Sequence, residues 1–254
     1  MQLCPLASGS KGNAYIIRTK DTTLLIDAGI NAKTLKARLS AISLQLEDLD
    51  AVIITHEHND HIQALKVLGK GKLPVFSNKE TAKGIYQALQ VKPSFKIFST
   101  NESFHFRDFL IHPFSVQHDT LDPVGLVIEA EEKKVGFCTD LGTPTSLVQK
   151  KLQGCNFLVM ESNHDPDKVR NAKRPFVYKK RVLSNLGHLS NEQCAALLQS
   201  LVHEKLEGVF LSHLSEECNE KELALEVVAG MVPYLKDKLL IAHQEKVSEL
   251  ISLE

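Results

Sequence analysis

The sequence lacks the features that direct a protein to secretion or into a membrane. Its first residues, Met1-Gln2-Leu3-Cys4, have neither a basic start nor an apolar stretch long enough for a signal peptide. No uninterrupted apolar run approaches the roughly 20 residues that a membrane-spanning helix needs. We therefore expect neither secretion nor membrane insertion.

Cysteine is scarce and dispersed. The five cysteines are widely spaced and form no Cys-x-x-Cys pair: Cys4, Cys138, Cys155, Cys194 and Cys218. An odd number at such spacing argues against a disulfide framework and against a zinc ribbon. We expect reduced thiols and a cytoplasmic location.

The chain also lacks an excess of charge and any internal boundary. It has 254 residues, with 30 Lys and Arg against 31 Asp and Glu, a net charge of −1. Bulk charge therefore does not make it a nucleic-acid binder, and any such binding must come from a local patch. Because there is no repeat, low-complexity linker or shift in composition, we expect a single domain over residues 1–254.

Short β-rich runs alternate with helical patterns. The predicted strands are Ala14–Arg18, Thr23–Ile26, Ala51–Thr55, Val75–Phe76, Lys96–Phe98, Phe109–Val116, Leu126–Glu129, Lys134–Thr139, Asn156–Glu161, Gly208–Ser212 and Leu239–Ala242. The predicted helices are Ala32–Leu39, Ile62–Leu68, Glu80–Leu89, Ser146–Leu152, Asn191–Lys205, Lys221–Met231 and Gln244–Ile251. So many strands exceed one ordinary sheet, which predicts an α/β (α+β) protein with two packed sheets flanked by helices.

The segment 55–61, Thr-His-Glu-His-Asn-Asp-His, indicates a metal site. It follows an apolar run, and in an extended segment His56 and His58 project to the same side, where they can bind one ion. Asp60 and His61 then face a second centre as the chain turns into a helix. Imidazole and carboxylate ligands without a thiolate suit zinc, manganese or iron better than calcium or magnesium.

Other candidate ligands stand directly after apolar runs. His118, Asp140 and His213 each end a predicted strand. Ligands at strand ends lie on one rim of a sheet scaffold, where rigid elements hold them in place. Asp27 ends a strand in the same way, and we interpret it as a residue that orients metal ligands.

A helix start follows His188. Ser190 with Gln193 three positions on forms a capping box, and apolar residues from Cys194 onward recur at helical spacing. The positive end of this helix would favour an anion, so we expect His188 and Ser190 to hold a phosphate together. Alternatively, His188 is a histidine beside a cap without a ligand.

A basic run lies just before this helix. Seven basic residues and no acidic one occur between positions 168 and 181: Lys168, Arg170, Lys173, Arg174, Lys179, Lys180 and Arg181. Phe176 and Tyr178 lie within the run as possible stacking surfaces, a combination that suits single-stranded nucleic acid. The candidate phosphate contacts are Asn163, His164, Lys179, Lys180 and Arg181. The alternative is a solvated charged face.

The order of these motifs resembles the metallo-β-lactamase superfamily over nearly the whole chain. The matching residues are Leu25-Ile26-Asp27-Ala28-Gly29, His56-x-His58-x-Asp60-His61, His118, Asp140 and His213. Five further blocks resemble the YycJ/WalJ family of bacterial hydrolases, described as DNA exonucleases: Ala7–Asn13, Cys138–Gly142, Glu161–Asp165, Gly187–Asn191 and Leu211–Ser215. The resemblance implies a four-layer αββα sandwich.

The resemblance also implies a dinuclear site that activates water. His56, His58 and His118 would bind the first ion, and Asp60, His61 and His213 the second, with Asp140 bridging. The cofactors would be two divalent ions per chain, zinc or manganese, with iron also allowed. Only 48 positions separate Asp140 from His188, so no β-CASP domain is inserted, and processing of tRNA or long structured RNA is less favoured.

We therefore expect a metal-dependent phosphodiester hydrolase, an exonuclease on single-stranded DNA, with Asp60 and His188 as catalytic residues. His188 would protonate the leaving oxygen and Asp60 would share the proton of the attacking water. The chain could also form a homodimer. Two alternatives remain: a hydrolase of a small ester, lactone, thioester or cyclic phosphodiester at the same site, and a regulatory binding module without turnover.

Overall fold

Strands and helices alternate along the chain, which the structure, a computed structural model, describes for residues 1–253. The strands are β1 (Gln2–Ala7), β2 (Ala14–Arg18), β3 (Thr23–Ile26), β4 (Ala51–Ile53), β5 (Pro74–Ser77), β6 (Ser94–Ile97), β7 (Phe104–Phe106), β8 (Phe109–Ser115), β9 (Val124–Ala130), β10 (Lys133–Cys138), β11 (Phe157–Glu161), β12 (Gly208–Ser212), β13 (Leu239–Ile241) and β14 (Ile251–Ser252). The helices are α1 (Ala32–Ser40), α2 (Asn59–Ile62), α3 (Leu65–Leu68), α4 (Lys79–Leu89), α5 (Ser146–Leu152), α6 (Pro166–Asn171), α7 (Phe176–Val182), α8 (Asn191–Leu201) and α9 (Lys221–Met231).

Two mixed sheets, each of seven strands within residues 1–253, form the centre of the fold. The first has the order β14-β1-β2-β3-β4-β5-β6 and the second β13-β12-β11-β10-β9-β8-β7. Strands β3 to β6 are parallel in the first sheet, and β10 to β13 are parallel in the second. The remaining strands pair in antiparallel fashion.

The apolar core has three layers because neighbouring residues of these strands point to opposite faces. Tyr15, Phe137 and Phe210 belong to a cluster between the two sheets. Leu25 and Leu158, which alternate with inward-facing neighbours, belong instead to clusters beneath the outer helices. Helices therefore cover both outer faces, and the αββα sandwich expected from the sequence is confirmed.

The predicted bounds of several elements are correct, and the prediction of one helix is wrong. β3, β12, α5 and α9 begin and end at the predicted residues. The predicted helix Gln244–Ile251 does not form, because this segment lies along β1. There Ser248 N donates to Pro5 O at 2.9 Å, and Ile251, which begins β14, pairs with Leu3 of β1. The sequence prediction had missed β1, β7, β14 and the two helices α6 and α7.

The predicted helix Ile62–Leu68 is interrupted, and the interruption bears on the site. α2 ends at Ile62 and α3 begins at Leu65. Between them Ala64 N donates to Ala28 O at 2.8 Å, which fastens the turn to the loop after β3. The predicted helix Asn191–Lys205 likewise ends earlier, at Leu201, although its capping box forms as expected.

The strand directions bring six loops to one edge of the sandwich. β3 and β4 run parallel in the first sheet, and β10, β11 and β12 run parallel in the second. β8 points the same way as β10, since both are antiparallel to β9. The loops that follow these strands carry the candidate site residues. Within residues 1–253, no helix is both long and apolar enough to cross a bilayer.

Candidate metal centre and active site

Seven predicted ligands converge at this edge. Two come from the loop after β4, two from the helix α2 that follows it, and three from the loops after β8, β10 and β12: His56, His58, Asp60, His61, His118, Asp140 and His213. Ligand atoms of the first two histidines and His118 lie within 4.8 Å of one another, and those of Asp60, His61 and His213 form a second such group. Asp140 lies between the groups, 3.1 Å from His61 Nε2 and 3.6 Å from His118 Nε2.

The donor atoms of this cluster fit a divalent cation. His56 Nε2 and His213 Nε2 are buried and have no hydrogen-bond partner within residues 1–253. A buried polar atom without a partner costs free energy, and a cation at this position would remove that cost. Imidazole and carboxylate donors are those that zinc, manganese and iron prefer. The cluster therefore has the composition of a divalent metal site.

Three residues of the site have left-handed backbone conformations that side chains rarely adopt. The φ angles are +57° at Asp27, +55° at Asp140 and +53° at His213, each just after a strand. Aspartate and histidine are enriched among the few non-glycine residues that adopt this region, and such a conformation persists where surrounding contacts impose it. Ser8 Oγ supplies one of these contacts by accepting a hydrogen bond from His213 N at 2.7 Å.

Asp27 lies behind the cluster and holds one of its imidazoles. Its Oδ2 accepts from His61 Nδ1 at 2.8 Å, which leaves Nε2 of that ring directed to Asp140. Its Oδ1 accepts from Thr55 N at 2.9 Å, so the carboxylate also fixes the start of the His56–His61 loop. A carboxylate behind a histidine in this way sets the tautomer and orientation of the ring.

Glu161, which is not among the site residues predicted from the sequence, orients two histidines in the same way. The fully buried Oε1 accepts from His188 Nδ1 at 2.7 Å and from His213 Nδ1 at 2.9 Å. Oε2 accepts from the amides of Leu141 and Leu189. The available signal was its position at the end of β11, the same kind of position that identified Asp140 and His213.

Burial and the neighbouring charges shift the pKa values of the histidines in the cluster. Burial lowers the pKa of His56 well below its usual value and that of His58 to about 4. Burial would also lower the pKa of His213, but Asp140, Asp60 and Glu161 together raise it to about 10. For His61, Asp27 and the other carboxylates outweigh burial in the same way and raise the pKa well above its usual value. The two histidines thus carry positive charge that balances the buried carboxylates.

The pKa values of the buried carboxylates Asp140 and Glu161 are lowered. Burial alone would raise the pKa of Asp140, but His213 and His61 hold it well below its usual value. The pKa of Glu161 falls to about 2, because its contacts with His188 outweigh burial. Both groups therefore stay ionised, as a cation site requires.

A pocket of about 340 Å³ opens onto the cluster. Its wall includes His58, Asp60, Asp140, His188 and His213, together with Ser10, Tyr178 and Arg181. His188 Nδ1 lies 3.7 Å from Asp140 Oδ1, so the predicted acid and the predicted bridging ligand face the same space.

Asp119, which is not among the site residues predicted from the sequence, anchors Arg181 in the wall of this pocket. Both carboxylate oxygens bond the guanidinium, with Nη2 3.0 Å from Oδ1. The same Oδ1 lies 3.5 Å from His118 Nε2 and 3.8 Å from His58 Nε2. Asp119 thus occupies the Nε and Nη2 edge of the guanidinium and holds Arg181 in the pocket wall, beside the candidate metal ligands.

The other predicted substrate contacts are placed differently. Asn163 lines the pocket, but its Nδ2 donates to His213 O at 2.7 Å. His164 is buried and absent from the pocket wall. Ser190 caps α8, while its amide donates to Gln193 Oε1. The amides of Ser190, Asn191 and Gln193 already have protein partners, so these contacts do not support the expected phosphate site at the helix start.

The basic run is less positive in the fold than in the sequence. Four of its residues form ion pairs: Lys168 with Glu220, Arg170 with Asp167, Arg174 with Glu217 and Arg181 with Asp119. Lys173, Lys179 and Lys180 have no acidic partner within residues 1–253, and the last two, both on α7, line a groove next to the pocket. The positive charge free to meet a substrate is therefore concentrated on α7.

Comparison with known proteins agrees with this architecture. Residues 22–213 match the family model described as "Beta-lactamase superfamily domain". The metallo-beta-lactamase fold protein YhfI of Bacillus subtilis superposes with a TM-score of 0.76, covering 98% of both chains at 18% identity. That likeness concerns the fold.

Two relatives are more similar in sequence. The exodeoxyribonuclease YycJ of Bacillus anthracis is 34% identical over 222 residues, which cover 86% of this chain and 84% of that protein. The exodeoxyribonuclease WalJ of Streptococcus pneumoniae is 35% identical over 228 residues, which cover 86% and 83%. The chain is therefore a metallo-hydrolase of the beta-lactamase superfamily and belongs to the same family as YycJ and WalJ.

Proposed function

We propose that the protein is a metal-dependent exonuclease that hydrolyses phosphodiester bonds of single-stranded DNA with two divalent ions. The observation that carries this proposal is the shared position of Asp140 and His188. Asp140 lies between two groups of candidate ligands, and His188, in the loop between α7 and α8, lines the same pocket. The relatives named exodeoxyribonucleases support DNA as the substrate.

The roles of the residues follow from their positions. His56, His58 and His118 would hold one ion, Asp60, His61 and His213 the other, and Asp140 both. Bound divalent ions would activate a water molecule and polarise the scissile phosphate. Arg181, fixed by Asp119, would bind a nonbridging phosphate oxygen.

His188 is proposed as the acid that protonates the leaving oxygen. Glu161 binds its Nδ1, which leaves Nε2 as the free ring nitrogen. The ring is about one-sixth exposed, so it can reach a substrate in the pocket. Asp60, whose pKa the positive charges of His61 and His213 lower despite burial, is ionised and able to accept a proton from water.

The test is hydrolysis of end-labelled single-stranded and double-stranded DNA and RNA by protein loaded with zinc or manganese. We expect a ladder that shortens from one end of single-stranded DNA and disappears with a chelator or in His58→Ala. His188→Ala should retain metal and lose about 100-fold or more in kcat. Turnover of a lactone or of bis-p-nitrophenyl phosphate without cleavage of any polymer would contradict the exonuclease. A rate of His188→Ala near wild type would contradict the acid.

We further propose that the chain acts as one domain in the cytoplasm. The cluster between the sheets draws residues from both halves of the sequence, which supports one cooperative unit. All five cysteines are free and buried in the described part of the chain. Burial raises the pKa of Cys4 to about 11 and that of Cys155 to about 12, which keeps these thiols unreactive.

A further inference from the structure

The helix α7 separates two concave surfaces. Tyr178, Arg181 and Val182, at spacings of three and four residues, line the pocket over the metal cluster. Phe176 and Lys180, on the opposite face, line a second groove of about 610 Å³. The two faces of this short helix therefore line the pocket and the groove, respectively.

The second groove combines an exposed aromatic ring with unpaired positive charge. Phe176 is 78% exposed, which is unusual for a large apolar side chain that serves no interface. Lys180 has no acidic partner among residues 1–253, and Lys179 Nζ donates only to the Arg170 carbonyl, at 2.7 Å. Flat apolar surface beside ammonium groups suits a ligand that carries both a base and a phosphate.

The floor of the groove continues into the metal site. Thr143, just after Asp140, donates through Oγ1 to the carbonyl of Asn185 in the groove floor at 3.2 Å. Two residues further on, the Gly187 carbonyl bonds His118 Nδ1 at 3.0 Å. A chain of contacts therefore links the groove to the loops that carry Asp140 and His118.

We propose that this groove binds a nucleotide of the same single strand whose scissile phosphate lies in the pocket. The base stacks on Phe176, and its phosphate contacts Lys179 and Lys180. The DNA strand passes over α7 from the pocket to the groove. Only a substrate longer than the scissile nucleotide therefore occupies both the pocket and the groove. This inference rests on the proposed function and adds a second binding site to it.

Val177 provides a matched control for the test. It is 77% exposed, lies on the same helix and lines neither the pocket nor the groove. The experiment compares kcat/KM for a long single-stranded oligonucleotide with kcat/KM for bis-p-nitrophenyl phosphate. We expect Phe176→Ala to lower the ratio of the two values about fivefold or more, while Val177→Ala leaves it unchanged. Lys180→Ala should reduce the slope of log affinity against log salt by about 0.7.

Each other outcome has a defined meaning. Equal ratios for Phe176→Ala and Val177→Ala, with oligonucleotide cleavage by the wild type intact, would overturn the groove and keep the exonuclease. No oligonucleotide cleavage by the wild type would overturn both. Sedimentation that shows a wild-type dimer and a Phe176→Ala monomer would identify the groove as a contact between two copies and overturn the inference.

Discussion

At the scale of single residues, the pair Asp119 and Arg181 offers a direct test of how a phosphate is held. The carboxylate bonds the guanidinium with both oxygens and lies beside His58 and His118. Two roles are therefore open to Asp119: it positions Arg181, or it ligates a metal ion. These roles predict different couplings between the two residues.

We expect Arg181→Ala to lower kcat/KM on DNA about tenfold, mainly through KM, because a charge-assisted contact to phosphate is lost. Asp119→Asn should lower it less, and it should have no added effect when Arg181 is already alanine. A double-mutant cycle measures this coupling. If Asp119→Asn reduces bound metal and retains its effect in Arg181→Ala, the residue acts as a ligand instead.

The sequence could predict residues at strand ends but not residues whose role depends on a distant partner. His118, Asp140 and His213 were accessible because each follows an apolar run, and such runs become buried strands with exposed ends. Asp119 acts through a residue 62 positions away, and Glu161 connects histidines 27 and 52 positions away. A pattern of neighbouring residues in the sequence cannot reveal contacts between residues so far apart along the chain.

At the scale of elements, the close contact between the loops after β3 and β4 sets the position of the second ligand group. Gly29 has no side chain, and an added Cβ would lie 1.6 Å from the Asp60 carbonyl oxygen. Asn13 N donates to that same oxygen at 2.8 Å, and Gly29 N donates to Asn13 O. Three segments thus meet where only glycine fits.

We expect Gly29→Ala to displace the turn at Asp60 and His61, with a loss of bound metal and of about 1–3 kcal/mol in the free energy of unfolding. Gly230→Ala is the control, because a Cβ there meets nothing within 4 Å in the helix α9. That change should stabilise the protein by about 0.5–1 kcal/mol. Metal analysis and denaturant titration measure both variants, and normal metal content in Gly29→Ala would contradict the argument.

The helices α6 and α7 show why some short elements could not be predicted from the sequence. Each spans less than two full turns, and the only apolar anchors of the pair are Val169 and Val182, packed with Cys218 in a small cluster. A repeat of apolar residues is the main signal for a helix, and two anchors on separate helices provide none. The basic composition was visible in the sequence, whereas the ion pairs that neutralise much of it were not.

At the scale of the whole molecule, the ligand groups join the two sheets. The first group combines His56 and His58 from the first sheet with His118 from the second, and Asp60 and His61 meet His213 in the same way. A metal ion in either group would therefore cross-link the two halves of the sandwich. Metal binding and folding stability should consequently depend on each other.

The buried ionisable groups determine how the stability of the metal-free protein changes with pH. Without metal, His213 with a pKa of about 10 and His61 with a raised pKa hold protons that the unfolded chain releases above pH 6.5. Their stabilisation is full below pH 6.5 and is lost as the pH rises toward 10. Glu161 acts oppositely, since its stabilisation is present above its unfolded pKa of 4.5 and is lost as the pH falls toward 2. His56 and His58, whose pKa values burial lowers, take up protons more readily in the unfolded chain and so reduce stability below pH 6.5. The metal-free protein should therefore be most stable near pH 6.5.

Metal binding requires neutral imidazoles, so its contribution to stability should grow as the pH rises and protons compete less. We therefore expect the denaturation midpoint of chelator-treated protein to fall between pH 6.5 and 9, while that of protein with excess zinc holds or rises. In His213→Gln without metal, the fall should be shallower because one of the two proton-holding groups is gone. Parallel curves with and without zinc would mean that these histidines do not exchange a proton for a metal ion, and the assignment of His61 and His213 as ligands would then fail.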